Sequence, residues 1–175
     1  MRSSLPYTSK VILVTNLIFA NVDYCNALLV CCPQYIISKL QRTVNKAVRF
    51  IFNARRMDHI TPLLFELHIL PVTYRVKFKV SLMAFKIVKK TAPLYLMEKV
   101  EMFEPTGNVT LRPGYGRDAL MFNCNLEQCK NKTWIVHMIL EWNALPLSIR
   151  SSETLVDFKT KLKSHYFKQA FPDYI

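Results

Sequence analysis

The sequence predicts a mainly α protein, a helical bundle followed by a small α+β C-terminal part. Three observations predict this architecture. Apolar residues recur at helical spacing over several long segments. Prolines, 9 in all, stand where these segments begin or break, whereas glycines number only 3. The chain has 175 residues, of which 51% are apolar, so it can form a packed core and is not a disordered, collagen-like or low-complexity chain.

The first third of the chain predicts two long helices. The apolar segment from Val11 to Cys32 is long enough to cross a bilayer, but Asp23 would lie near its middle at a cost of about 2.5–3.5 kcal/mol. We therefore expect a helix that is buried or covered by a partner. After Pro33 a helix is predicted from Gln34 to about Arg56. Its apolar face is predicted at Ile36, Leu40, Val44, Ala47, Val48 and Ile51.

Further helices and a strand are predicted along the rest of the chain. Thr61, as an N-cap before Pro62, predicts a short helix to about His68, and a further helix is predicted from about Thr73 to Lys90. Tyr74, Phe78, Leu82 and Phe85 are predicted to form one face of this second helix. We also expect a helix over 93–103, a strand over 118–123, a helix or strand over 133–142, and a last helix capped by Ser152.

Turn-forming residues divide the chain into three regions. They cluster over 104–117, which is therefore predicted to be a linker or loop. A helical region of residues 1–103 precedes it and a small α+β region of residues 118–175 follows it.

The positive charge of the chain is concentrated in one third of its length. The formal net charge is +12, and residues 33–90 alone carry +10. A charge that served only solubility would be spread out, whereas a binding surface is concentrated. This balance predicts a polyanionic partner, either nucleic acid or an anionic membrane.

Basic residues in the predicted helix 34–56 follow a helical stripe. Their steps of three and four residues place side chains on one face over roughly 25 Å. Like charges at such spacings repel one another, so the stripe favours contact with phosphates over a merely solvated face, which usually mixes signs. The stripe is formed by Lys39, Arg42, Lys46, Arg49, Asn53 and Arg56, and a second set of predicted contacts comprises Arg75 and Lys79.

The sequence contains no motif of a self-sufficient enzyme. It has no glycine-rich phosphate loop, no H-E-x-x-H sequence and no nucleophile elbow. Carboxylates are scattered, and the nearest group, Glu98, Glu101 and Glu104, is typical of a solvated helix face. We therefore predict no catalytic residues and no cofactor.

The five cysteines predict packing thiols in a reducing compartment. Their number is odd, and the sequence shows no signal-peptide core, so we expect a nuclear or cytoplasmic protein. Cys124 and Cys129, with His137 downstream, match no common zinc spacing and lack a fourth ligand. No metal site is predicted.

Several segments in register resemble the C-terminal region of LINE-type, jockey-like non-LTR retrotransposon reverse transcriptases. The resemblance covers roughly residues 5–170. Each motif is weak by itself, but their order and spacing agree. The segments are Leu5-Pro6 with Asp23–Leu29, Lys39–Arg42 with Asn45–Arg49, His59–Leu64, Leu67–Val72 with Arg75, Phe78 and Lys79, Ala92–Leu96, Trp142–Pro146 with Ile149-Arg150, and Phe158-Lys159 with Leu162-Lys163.

This resemblance implies the thumb and post-thumb part of an RNA-directed DNA polymerase. In that family thumb helices lie against the template–primer duplex, so the basic stripe would contact an RNA–DNA hybrid or RNA with low specificity. Docking to a reverse transcriptase palm is implied as well. A thumb separated from its palm exposes an apolar face, and we expect self-association through it.

The chain also departs from the family. The palm motif [FY]-x-DD is missing, since the sequence has no Asp-Asp, and the chain is predicted to be inactive alone. The match fades between residues 118 and 141. Three alternatives therefore stay open: a nucleic-acid-binding or scaffold module retained by the host, a peripheral membrane protein using the same basic helix, and a functionless translated transposon relic.

Overall fold

A computed structural model describes residues 5–102, 120–122 and 134–174. These residues are mainly α-helical, as predicted. Their α-helices are α1 (Tyr7–Val14), α2 (Ala20–Asp23), α3 (Gln34–Phe52), α4 (Thr61–Glu66), α5 (Val72–Val88), α6 (Leu94–Met97), α7 (Trp134–Ala144), α8 (Leu147–Arg150) and α9 (Leu155–Ala170). A π-helical turn, Thr15–Phe19, joins α1 to α2, and 3-10 turns cover Asn26–Cys31 and Pro172–Tyr174. None of the helices described is both long and apolar enough to cross a membrane.

The chain forms two compact units. The first contains Met1–Val76 together with Tyr166–Ile175, and the second contains Lys77–His165. Helices α5 and α9 each contribute residues to both units. This grouping differs from the regions predicted along the sequence. The predicted linker 104–117 lies outside the described residues, so the linker stays a prediction.

The expected small α+β C-terminal part is not supported. The strand predicted over 118–123 is present as β2 (Leu120–Phe122), but it pairs antiparallel with β1 (Val100–Met102), so its partner precedes the predicted C-terminal region. The sequence pattern instead predicts residues 100–102 as the end of a helix. That helix, α6, ends at Met97, because Val100–Met102 hydrogen-bonds across to β2.

Helix α3 ends earlier than its apolar pattern predicts. Its last residue is Phe52, and Asn53 adopts a left-handed conformation with φ 54°. Asparagine tolerates this conformation better than most residues, and it is a common helix C-cap. The Asn53 side chain is held by the buried Lys10, whose Nζ donates a hydrogen bond of 2.7 Å to Asn53 Oδ1. Residues 53–56 therefore leave the helix.

Within the first unit, an ion pair joins α5 to the N-terminal helical run, which comprises α1, the π-helical turn and α2. Arg75 Nε donates to Asp23 Oδ1 at 2.8 Å, and Arg75 Nη2 donates to Asp23 Oδ2, so the carboxylate is bound in a bidentate manner. The guanidinium also lies 5.3 Å from the centre of the Phe19 ring. Asp23, which argued against a membrane span in the sequence, is thus neutralised by a partner far along the chain.

A second polar contact fixes the start of α5. Gln41 of α3 accepts a hydrogen bond of 2.7 Å at Oε1 from the backbone N–H of Val72. The first backbone N–H groups of a helix lack intrahelical partners, so this side chain caps α5 from a neighbouring helix.

Three aromatic side chains lie together in the core of the second unit. Phe85 of α5 stacks on Phe158 of α9 with ring centres 4.3 Å apart, and Trp142 of α7 lies 5.8 Å from Phe158. Trp142 and Phe158 are completely buried. Beside them, Lys77 and Glu141 form an ion pair of 2.9 Å between α5 and α7.

Helix α7 also holds strand β2 in place. Asn143 Oδ1 accepts a hydrogen bond of 3.0 Å from the Leu120 N–H, and Asn143 Nδ2 donates one of 3.1 Å to the Leu120 carbonyl. One carboxamide therefore satisfies both backbone groups of a strand residue, as a neighbouring strand would.

Three local features differ from the sequence pattern. In α5 the predicted face is buried only at Phe85, since Tyr74, Phe78 and Leu82 are partly buried. The other buried residues of α5 are Val72, Val76, Val80, Ser81, Ala84 and Ile87. In α9, the Asp157 N–H donates a hydrogen bond of 3.2 Å to Thr154 Oγ1, so Thr154 caps the helix and Ser152 does not.

In α4, Ile60 and not Thr61 is the N-cap, and Thr61 is the first helical residue.

The Asp23–Arg75 ion pair is expected to stabilise the first unit. Asp23→Asn should lower the free energy of unfolding by about 1.5–3 kcal/mol, because a partly buried guanidinium loses its charged acceptor. Arg75→Met should have a similar effect, and the double variant should lose less than the sum. Urea unfolding checks this.

The control for this ion pair is the exposed pair of Asp157 and Lys161, in which Lys161 Nζ lies 2.7 Å from Asp157 Oδ2. The hydrogen bond from Lys161 lowers the pKa of Asp157, yet Asp157→Asn should change stability little, since both groups are exposed. Equal effects of Asp23→Asn and Asp157→Asn would contradict the role given to Asp23.

The Asn143 carboxamide is expected to be needed for both of its hydrogen bonds. Asn143→Asp keeps the acceptor but loses the donor and sets a carboxylate against the Leu120 carbonyl. We expect a loss of about 1–3 kcal/mol and faster hydrogen exchange of the Leu120 amide. The matching control is Asn21→Asp, because Asn21 is exposed and its Nδ2 donates to the Leu17 carbonyl four residues earlier. Unchanged hydrogen exchange of the Leu120 amide in Asn143→Asp would contradict this role of the Asn143 carboxamide.

Candidate nucleic-acid interface

Helix α3 separates apolar from basic residues on opposite faces. Its buried residues are Ile37, Val44, Ala47, Val48 and Ile51, and Val44 and Val48 are completely inaccessible. Ile36 and Leu40, predicted as inward, are half-buried, and Ile37 takes the inward position at that end. Burial of this face against the first unit turns the other face outward.

The outward face of α3 carries four cations. Lys39, Arg42 and Lys46 are exposed and Arg49 is half-buried. The helix contains no acidic residue. At about 1.5 Å per residue the four span roughly 15 Å. This is shorter than the predicted stripe, because the left-handed Asn53 ends the helix.

The exposed cations make only weak or neutral contacts. Lys39 Nζ lies 5.4 Å from the centre of the Tyr35 ring, and Arg42 Nε donates a hydrogen bond of 3.3 Å to the carbonyl of Ser38. No ion pair joins any α3 cation to a carboxylate of the residues that the structure describes. The positive charge of this face is therefore not neutralised there.

Arg49 differs from its neighbours because it holds the turn after α3. Its Nη2 donates a hydrogen bond of 3.0 Å to the carbonyl of Asp58, and its Nε is buried without a partner among the described residues. Asp58 Oδ2 accepts a hydrogen bond of 2.6 Å from the Arg55 N–H and closes the same turn. Arg56 lies in this turn, exposed but beyond the helix, so it does not continue the stripe.

The two predicted contacts of α5 have different surroundings. Arg75 is bound to Asp23, so a phosphate would have to displace an internal carboxylate to reach it. Lys79 is exposed and belongs to the second unit. The structure therefore brings together Lys39, Arg42, Lys46 and Arg49 on one helix, and gives Arg75 a structural partner.

Two features beside the cations were not identified from the sequence. Tyr35 is 60% exposed next to Lys39, a position that the four-residue spacing could have revealed. The second feature is an apolar groove of about 390 Å³ between α3 and the N-terminal helical run, with Lys46 in its lining. Both walls are apolar in the sequence, but only tertiary packing places them together.

The thiols and histidines described form no site of their own. No cluster of three metal-binding side chains occurs among residues 5–102, 120–122 and 134–174. Cys124 and Cys129, considered above as zinc ligands, lie outside these residues. Burial, reinforced by the neighbouring Cys32, raises the pKa of Cys31 and makes it a poorer nucleophile. Burial lowers the pKa of His165.

Among the described residues, the four cations of α3 form the surface that is chemically complementary to an anion. Family models, curated proteins and solved structures were compared with the chain, and none matches it.

Arg49 and Lys39 are expected to differ in their effect on stability. Arg49→Met removes the hydrogen bond to the Asp58 carbonyl and should lower the free energy of unfolding by about 1 kcal/mol or more. Lys39→Met should stay within about 0.5 kcal/mol, because the Lys39 ammonium is exposed and its contact with Tyr35 is weak. Thermal unfolding of the two variants checks this. A larger loss for Lys39→Met would contradict the assignment of Arg49 to the turn.

Proposed function

We propose that the chain binds a nucleic-acid duplex through the basic face of α3, as the non-catalytic, thumb-like C-terminal part of a non-LTR reverse transcriptase-like protein. One observation supports the binding most strongly. Helix α3 has four cations and no carboxylate, three of the cations are exposed, and none is paired with a described carboxylate. The family assignment is supported by the motifs that resemble those enzymes.

The type of contact follows from the chemistry of these side chains. Lysine and arginine on a regular helix face meet backbone phosphates and release the counterions condensed on the duplex. Such contacts position a protein without reading the bases. An RNA–DNA hybrid or RNA helix suits this surface, since A-form duplexes are recognised mainly by shape and backbone. Tyr35 adds an exposed ring beside Lys39.

The proposed function includes no chemical step by this chain. Phosphoryl transfer with two metals needs clustered carboxylates, and the sequence contains no Asp-Asp pair. In the proposed arrangement the chain holds the template–primer duplex for a palm supplied elsewhere, within the nucleus or cytoplasm. Exposed apolar residues of the N-terminal helical run outside its groove with α3, such as Ile12, support an additional protein contact, either with such a palm or with a second copy.

The test is the salt dependence of binding. The full chain is titrated with a labelled RNA–DNA hybrid at several salt concentrations, beside the variant Lys39→Ala, Arg42→Ala, Lys46→Ala. The slope of log K against log salt should fall by about 0.7–0.9 for each phosphate that the variant no longer binds. Arg49 is left intact because its replacement would disturb the turn.

The control removes the same charge from another exposed helix face. The variant Lys159→Ala, Lys163→Ala, Lys168→Ala changes three exposed residues of α9. It should keep the wild-type slope. Equal slopes for the two triple variants would mean that α3 does not bind phosphates. In that case a relic or another function would explain the chain better.

A further inference from the structure

An apolar groove lies beside the basic face of α3. It measures about 390 Å³ and is lined by Leu13, Val14, Leu17 and Ile18 on one side and by Thr43, Lys46, Ala47 and Phe50 on the other. All of these residues belong to the first unit. Leu13 and Leu17 are 41% and 62% exposed, so part of the groove wall is open to solvent.

Both walls of the groove are helical surfaces. On α3, Thr43 and Phe50 each lie three or four positions from Lys46 and Ala47, so the four residues share one face. The opposite wall lies on α1 and the π-helical turn. Ridges with this spacing are what another helix packs against. π-helical turns are also frequent at functional positions, and this one contains Leu17 and Ile18.

The charge at the groove has one sign. Lys46 is the charged residue of the lining, and Lys39 and Arg42 are exposed on the same helix. No carboxylate of the described residues lines the groove. An apolar groove beside cations favours a partner that has an apolar face with acidic residues adjacent to that face.

We propose that this groove binds an acidic amphipathic helix of another protein, with leucine-like side chains in the groove and carboxylates against Lys46 and Arg42. A second copy of the chain fits less well, because it is itself basic, with a net charge of +12. A bilayer fits less well, because a flat surface does not fill a concave groove between two helices. The partner helix and the nucleic acid would both contact Lys46, but only the helix would contact the apolar lining of the groove.

The experiment measures binding of a designed peptide to the full chain by fluorescence anisotropy. The peptide has about 18 residues, long enough to form a helix, with leucine at positions i, i+3, i+4 and i+7 and glutamate beside them. Its twin carries lysine in place of glutamate. The acidic peptide should bind at least about tenfold more tightly than the basic twin, because Lys46 and Arg42 attract one and repel the other. Equal binding of the two peptides would overturn the proposal.

Two substitutions locate the binding at the groove. Leu17→Gln should weaken binding of the acidic peptide roughly tenfold by removing apolar surface. Leu140→Gln is the control, since Leu140 is 60% exposed on α7 in the second unit. Lys46→Glu should weaken the acidic peptide and strengthen the basic one. If Leu17→Gln and Leu140→Gln bind the acidic peptide alike, the groove is not its site.

Other occupants would be recognised by separate measurements. Sedimentation that shows a dimer dissociated by Leu17→Gln would assign the groove to a second copy. Anionic vesicles that bind the chain but not Leu17→Gln would assign it to lipid. Either result would overturn the proposal. Leu17→Gln leaves Lys39, Arg42 and Lys46 in place, so loss of peptide binding in this variant with unchanged binding of the RNA–DNA hybrid concerns the groove and not the phosphate contacts.

Discussion

One-sided burial of α3 is the constraint on which the first unit depends. Val44, Val48 and Ile51 are almost fully inaccessible, and removing such side chains from water supplies the main stabilisation of a domain core. Once this face is buried, helical geometry leaves Lys39, Arg42 and Lys46 on the outside. The apolar groove and the Gln41 cap on α5 also depend on the position of this helix. The same nineteen-residue segment therefore carries both buried core residues and the proposed binding surface.

The basic residues of the first unit perform two different tasks. Arg75 and Arg49 are partly buried and bound, one to the Asp23 carboxylate and the other to the Asp58 carbonyl. Both join separate segments of the chain, and both use the several donors of the guanidinium. Lys39, Arg42 and Lys46 are exposed, and none of them is paired with a carboxylate of the residues that the structure describes. The number of positive charges does not distinguish these two roles, whereas the hydrogen-bond or ion-pair partner of each side chain does.

Residues that carry the family resemblance also carry the packing of the second unit. Within Trp142–Pro146, the Trp142 ring lies in the aromatic core, Asn143 holds Leu120, and Leu145 is buried. Ile149 is buried as well, three residues after the proline. This motif therefore describes how α7 and α8 hold the unit together. The proposed nucleic-acid contacts lie elsewhere, in the segment Lys39–Arg49.

The long helices α3, α5 and α9 and the charged side of α3 could be predicted from the sequence alone, because they follow from the spacing of residues close in the chain. The helix expected over Val11–Cys32 is instead divided into α1, the π-helical turn, α2 and a 3-10 turn. The strand near Leu120 and the breaks at the prolines could be predicted in the same way. Features that depend on distant residues required the fold: the Asp23–Arg75 pair, the pairing of β2 with Val100–Met102, and the groove beside Lys46. The end of α3 belongs to this second class, since the Asn53 side chain is held by Lys10, which is 43 residues away. Local periodicity contains no information about such partners, because it records only neighbours along one helix.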